Sequence, residues 1–490
     1  MATNQTPGIY IEEENAFPNS AVAVATAIPV FIGYTQKAEH KGISLIGKPI
    51  YITSFAEYMQ WFGHGYHHRF AIKNAPAIIN QFQPDMVIQP ATIFYLYNCM
   101  RLFYLNGGGS CYILSVGTYG EGANKITEVN PADLSDAVFD TLEKTPEPTL
   151  VVLPDFVNDR DQCYHLYKKV LAHCANTQSR FGIFDVIPDA ADASTNATLT
   201  AFREAIGTEA LNYGAAYYPW LNASVVAADE VDFTNMDVST EALKTMLPET
   251  DVSAAIDDWN NAVAASPTST QNRILHQALM ACSNTYVQLV NEIKNRLNLL
   301  PPSCAIAGIY SLVDGTRGVW KAPANVSISM AVSPAVNISA EEQQDMNIDV
   351  SSGKSVNAIR PFPGQGCLVW GARTLDGNSQ DWRYINVRRT MIMIEQSLKL
   401  ACRAYVFEPN VAATWVTMKS MMNNFLNSLW QQGALAGASP EQAFDVQTGL
   451  GATMTPQDIL DGVLLVTVKL ALVRPAEFIV LTIQQQQQRS

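Results

Sequence analysis

From Met391 onward, apolar residues return at intervals of three and four: Met391, Ile394, Leu398, Cys402 and Tyr405. That spacing puts them on one face of a 3.6-residue repeat and predicts an amphipathic helix. Trp415, Met418, Met422, Phe425 and Leu429 follow the same rule and predict a second helix. The period then drops to two. Leu464, Val466, Val468, Leu470 and Leu472 alternate along one predicted strand. Phe478, Val480 and Thr482 oppose Ile479, Leu481 and Ile483 in another. Gln484 to Gln488 form a low-complexity tail.

Between residues 149 and 221 strands and helices alternate. TLVVLPD precedes a helical stretch near 160–176, RFGIFDVIPD follows, and a helix near 197–206 leads to NYGAAYYPWL. Near-continuous apolar strands separated by helices predict a βαβ-type sheet covered on both faces. A long helix is expected near 270–297, and the Pro- and Ser-rich stretch 298–360 reads as mostly loop. Residues 22–34 predict a buried strand broken at Pro29, and from there to about residue 140 short strands and loops are expected. At the start, Thr6-Pro7-Gly8 signals a turn, Ile9-Tyr10-Ile11 reads extended, and Glu12-Glu13-Glu14 keeps the tip soluble.

The fold class is therefore mixed α/β and multidomain, as 490 residues would suggest. The expected divisions are an extended N-terminal arm (1–20), a strand joining the core (21–36), an outer region (37–140) and an α/β domain (141–300). A loop-rich connector (301–360), a C-terminal α/β domain (361–474) and a C-terminal strand arm with its Gln-rich tail (475–490) complete the chain.

Charge narrows the function. The chain carries 31 Lys+Arg against 45 Asp+Glu, and charged residues make up only 16%. Net acidity argues against nucleic acid as a partner, which needs a basic stripe. The low charge content suggests a surface covered by partners. Residues 361–490 have net charge +1, leaving −15 for residues 1–360. The densest acidic run extends from Asp229 to Asp258 and reads as a solvated outer face. No window approaches the ~18 consecutive apolar residues of a membrane span. MATNQTPGIYIEEE lacks the features of a signal peptide, so synthesis in the bacterial cytoplasm is expected.

Motifs for chemistry are sparse. None of the eight cysteines has CxxC spacing, and they read as reduced core thiols. His64, His67 and His68 cluster without a nearby Cys or carboxylate, so no metal is assigned. There is no Walker A loop, GxSxG, HExxH or EF-hand loop, and no cofactor is expected. Asp155 and Asp189 follow predicted parallel strands, where ligands bind in open α/β sheets. They carry the alternative reading of a metal-dependent hydrolase, against the simpler one that each caps a helix. Arg388-Arg389 has two readings, an ion pair with Glu395 or Glu408 and a partner-binding role.

In order along the chain, TPGIYIEEE at the start, GTRGVWKAPAN at 315–325, PFPGQGCLVWGARTL at 361–375, WRYINVRRTMIMIEQSL at 382–398, FEPN at 407–410, WQQGALAGASPEQAF at 430–444, TPQDILDG at 455–462 and RPAEFIVLTI at 474–483 resemble the contractile tail-sheath family of phages and phage-tail-like injection systems. The resemblance is looser over 37–300, where sheaths carry variable outer domains. It implies a structural, non-enzymatic subunit that polymerises with itself as stacked hexameric rings around an inner tube protein, bounded by baseplate and terminator or cap proteins. Such a sheath contracts from a metastable extended state without inserting into the membrane itself. The resemblance further implies an inter-subunit arm at Gly8, Ile9, Tyr10, Ile11 and Glu12 and a second at Phe478, Ile479, Val480, Leu481, Thr482 and Ile483. Leu464, Val466, Val468 and Leu470 would form the receiving strand, and Arg388, Arg389 and Lys419 are tube-facing or assembly candidates. A single chain with both arms looks more like a phage tail or released injection particle than a type VI apparatus, with a slight lean to the particle. A static tube or shell subunit is the remaining alternative.

Overall fold

A computed structural model describes residues 21–73, 82–120, 125–188, 194–247, 249–262 and 267–478. The described residues form two compact units, one between residues 25 and 389 and one combining residues 21–24 with 390–478. This division differs from the expected boundaries at 140, 300 and 360, because one sheet in the larger unit draws strands from both sides of each.

That sheet contains β1 (Pro29–Thr35), β2 (Pro49–Ile52), β3 (Cys111–Thr118), β4 (Leu150–Val152), β5 (Phe181–Asp185), β6 (Gly214–Tyr218), β7 (Val326–Ser327), β8 (Asn357–Phe362) and β9 (Gly366–Val369). Their order across the sheet is β7-β9-β8-β6-β5-β4-β1-β3-β2. The six strands from β8 to β3 run parallel, with Val30 beside Tyr112 and Val151, and Ala215 beside Ile183. Antiparallel strands close both ends. Every residue of β1, β4, β5 and β6 is buried. Successive side chains point to opposite faces, so both faces are covered, as the apolar runs predicted.

The helices following β4 and β5 lie where expected, at Arg160–Thr177 and Thr195–Ala205, with Asp159 and Ser194 as N-caps. Others depart from expectation. The long helix near 270–297 is two helices, Ser269–Cys282 and Asn284–Leu297. They part at Ser283, whose extended backbone and Oγ cap the second by accepting the Tyr286 N–H. The supposed loop after residue 298 contains a fifteen-residue helix, α2 (Ser303–Arg317), which packs on α1 (Leu96–Leu105). The latter, with Phe55–Phe62 and Asp136–Glu143, adds helix to a region read as strands and loops. Phe70 and Val87 join side chains between Val226 and Leu297 in a second hydrophobic core around Met236, Leu243, Ile256 and Tyr286.

Helix α3 (Ile385–Cys402) spans the division between the units. In the smaller unit, α4 (Ala412–Gln431) buries Met418, Met422, Phe425 and Leu429, four of the five predicted stripe residues. It packs on β10 (Phe444–Thr448), which pairs with β11 (Val466–Leu470).

Candidate assembly site

Strands β10 and β11 form an antiparallel pair in which Phe444 faces Leu470, Val446 faces Val468 and Thr448 faces Val466. On one face Val446 is buried and Val466, Val468 and Leu470 are half-buried; on the other, Lys469 pairs with Asp445 at 3.9 Å. Among the described residues no third strand joins this sheet. The Ala471 N–H donates to the Ala443 carbonyl at 2.9 Å, which sets the phase of the ladder. Antiparallel hydrogen bonds alternate, so Asp445–Lys469 and Gln447–Thr467 are the bonded pairs. The backbone N–H and C=O groups of Val466, Val468 and Leu470 therefore point to the outer edge of β11. These are three of the four residues expected in the receiving strand; the fourth, Leu464, lies two residues before β11 and is half-buried. Two strands alone are marginally stable, and an edge of this kind is a template for another strand.

Gly8 to Glu12 and Ile479 to Ile483 lie outside the described residues. Phe478, the last described residue, is 68% exposed. The chain is pinned soon after the N-terminal segment. The Val24 N–H donates to Ser397 Oγ at 3.0 Å. In the larger unit, Thr26 Oγ1 donates to Asp314 Oδ2 at 2.6 Å and the Ile28 N–H to Thr149 Oγ1 at 3.0 Å.

The arginine pair is buried, with Arg388 4% and Arg389 3% exposed. Arg389 forms a two-pronged ion pair with Asp314, at 3.0 and 2.6 Å, and donates to the Thr26 carbonyl at 2.9 Å. Its guanidinium lies 4.5 Å from the Tyr310 ring centre. Arg388 lies 4.3 and 4.7 Å from the ring centres of Tyr213 and Trp382 and donates to the Tyr213 hydroxyl at 2.8 Å. The ion-pair partner of Arg389 is thus Asp314, and neither arginine presents its charge at the surface of this subunit. Apart from Trp382, the partners named here, Tyr213, Tyr310, Asp314 and Thr26, are distant in sequence, and no local motif signals them. Lys419, on α4, is exposed.

Asp155 is wholly buried. Its Oδ2 accepts the Tyr34 N–H at 2.6 Å, and its Oδ1 accepts those of Tyr95 and Leu96 at 2.6 and 2.8 Å, at the start of α1. Burial pushes its carboxyl up to about 7 against the pull of those three amides. A Cβ on Gly33 would lie 2.4 Å from Oδ2, so the carboxylate fills its niche. Asp155 does cap a helix, although the next one in sequence is capped by Asp159. Asp185 repeats the device, accepting the Ser303 N–H at 2.7 Å at the start of α2. Asp189 lies outside the described residues. His64, Tyr66, His67, Tyr97 and Glu230 line a cavity of ≈ 270 Å³. His67 Nε2 meets Thr234 at 3.0 Å, and His68 Nε2 accepts the Phe94 N–H at 3.0 Å. Among the described residues no three His, Cys, Asp or Glu side chains gather to hold a metal. The cysteines are all free, and six of the eight are buried.

Comparison with known proteins places this geometry. Residues 378–486 match the phage tail sheath C-terminal domain. The tail sheath protein of Vibrio phage KVP40 is 22% identical over 212 residues, covering 42% of this chain and 30% of its own length. That of Burkholderia phage BcepMu is 26% identical over 157 residues, covering 31% and 32%. The matched stretch is thus about a third of either phage protein. Likeness to solved structures extends over the whole chain. A sheath complex of the extracellular contractile injection system PVC in its contracted state is 27% identical, with a TM-score of 0.64 over 99% of both chains. The contracted helical sheath of the anti-feeding prophage is 28% identical, with a TM-score of 0.61 over 99% of this chain and 100% of the other.

Proposed function

We propose that this chain, a member of the contractile tail sheath proteins, forms stacked rings of six around an inner tube and shortens to drive that tube through a target envelope. The outer edge of β11 carries this reading, because it lies within the region matching the sheath C-terminal domain. A strand from a neighbouring copy adds to that edge through backbone bonds, with its alternate side chains meeting Val466, Val468 and Leu470. The donors are residues 8–12 and 478–483 of neighbouring copies. Such contacts are heterologous and propagate as rings or helices. Arms that stay paired while the domains they tether rotate let the polymer change length without coming apart. The work comes from the free-energy difference between two packings of the same subunits. No catalytic step is assigned: Asp155, half of the carboxylate pair that suggested a hydrolase, is enclosed by three backbone amides.

The whole-chain likeness to the PVC and anti-feeding prophage sheaths supports a released injection particle over a phage tail, and the likeness to an anti-feeding prophage baseplate supports a baseplate partner. Among the described residues no helix is long and apolar enough to cross a membrane. Deletion of residues 1–14 tests the arm directly. The truncated chain is expected to fold and stay dispersed at concentrations where the intact chain sediments as polymer. Tubes like those of the intact chain would sink the arm reading.

A further inference from the structure

Phe407 is an aromatic side chain placed where its own subunit gains nothing from it. It is 103% exposed, and its φ of +71° lies in the left-handed region, which a bulky L-residue adopts only under strain. The loop that presents it is firmly built. The Glu408 N–H donates to the Tyr405 carbonyl at 3.2 Å and the Val411 N–H to the Pro409 carbonyl at 3.0 Å. Trp415 Nε1 donates to Asn410 Oδ1 at 2.6 Å, and Asn410 Nδ2 donates to the Val463 carbonyl at 3.0 Å. The last bond ties the Phe407 loop to the segment entering β11. Exposed apolar side chains lie along both stretches: Leu400, Val406 and Val411 on one, Val463 and Leu465 on the other.

We propose that Phe407 is the anchor by which a second copy of this chain seats beside the outer edge of β11; this rests on the self-assembly reading above and names a contact within it. Glycine or asparagine would suit the backbone at this position better, so the fold of the subunit alone selects against phenylalanine. Its compensation lies outside the subunit. The flanking charges are one of each sign, Arg403 and Glu408, a neutral rim that gives no pull to a strongly charged partner. An apolar complement is available from the same chain, which places Ile9-Tyr10-Ile11 and Ile479 to Ile483 beyond the two described ends of this unit. A rigid aromatic on a pre-built loop loses little freedom on docking, which is the character of an interface hot spot.

The test compares the full-length chain with its Phe407→Gly and Phe407→Tyr variants, by sedimentation of polymer and thermal unfolding of the dispersed chain. Glycine accepts the backbone angle, so Phe407→Gly is expected to unfold at the same temperature or higher while its critical concentration for polymer rises about tenfold or more. Tyrosine is expected to keep assembly near the starting level. Normal polymer from Phe407→Gly, or a fall in its unfolding temperature, would overturn the proposal. An intact chain that never polymerises would overturn the self-assembly reading and this contact with it. If the 1–14 deletion assembles while Phe407→Gly does not, the arm reading alone fails. Benzoylphenylalanine at position 407, irradiated in polymer of the purified chain, is expected to give covalent products of twice the chain mass. Cross-links confined to a single chain would overturn the assignment to a second copy.

Discussion

Arg389 is held by groups from two separate stretches of chain: the Asp314 carboxylate and the Tyr310 ring on α2, and the Thr26 carbonyl. With both charges of the pair nearly excluded from water, removing one strands the other. Arg389→Ala is therefore expected to cost about 3–5 kcal/mol in urea unfolding of the dispersed chain. A loss below about 1 kcal/mol would show that the network is not structural. Two histidines set a pH limit. Burial holds His68 down to about 4, and burial together with the neighbouring Arg180 guanidinium does the same for His173. Each has a folded pKa below its unfolded value near 6.5, so the unfolded state binds more protons between those limits. Stability from these groups is present above pH 6.5 and is lost as pH falls toward 4. Unfolding of the dispersed chain followed across that window is expected to show the decline, and His173→Gln to make it shallower.

At the level of elements, legibility followed contrast. The strands around 150, 181 and 214 and the helices between them were readable because apolar runs alternate with polar-faced segments bearing Asp or Ser caps. The α4 stripe was readable because only one side of that helix is buried. Helix α2 was not, because Ser303 to Tyr310 are buried all round and give no period, while Pro301-Pro302-Ser303 resembles a loop. The Arg388 and Arg389 partners were invisible for another reason: Tyr213 and Asp314 reach them only through the fold. For β11, the period of two placed Val466, Val468 and Leu470 on one face of a strand, but the hydrogen-bond phase needed the observed register. That phase makes a specific expectation. Proline at 468 removes an N–H that the β10–β11 ladder does not use but an added strand would. Val468→Pro is expected to leave the dispersed chain folded by circular dichroism and to abolish polymer. Polymer formed at the usual concentration would show that no strand bonds there.

For the whole molecule, charge is divided unevenly, −15 over residues 1–360 against +1 over 361–490, and the proposed assembly uses the near-neutral part for its contacts with neighbouring copies. The central claim is self-assembly into a hollow, contractile polymer, and electron microscopy of the purified full-length chain tests it most directly. The account predicts long hollow tubes with helical striations, caught in the contracted form because no inner tube is present to template the extended one. Monodisperse particles at every concentration and salt condition would contradict it.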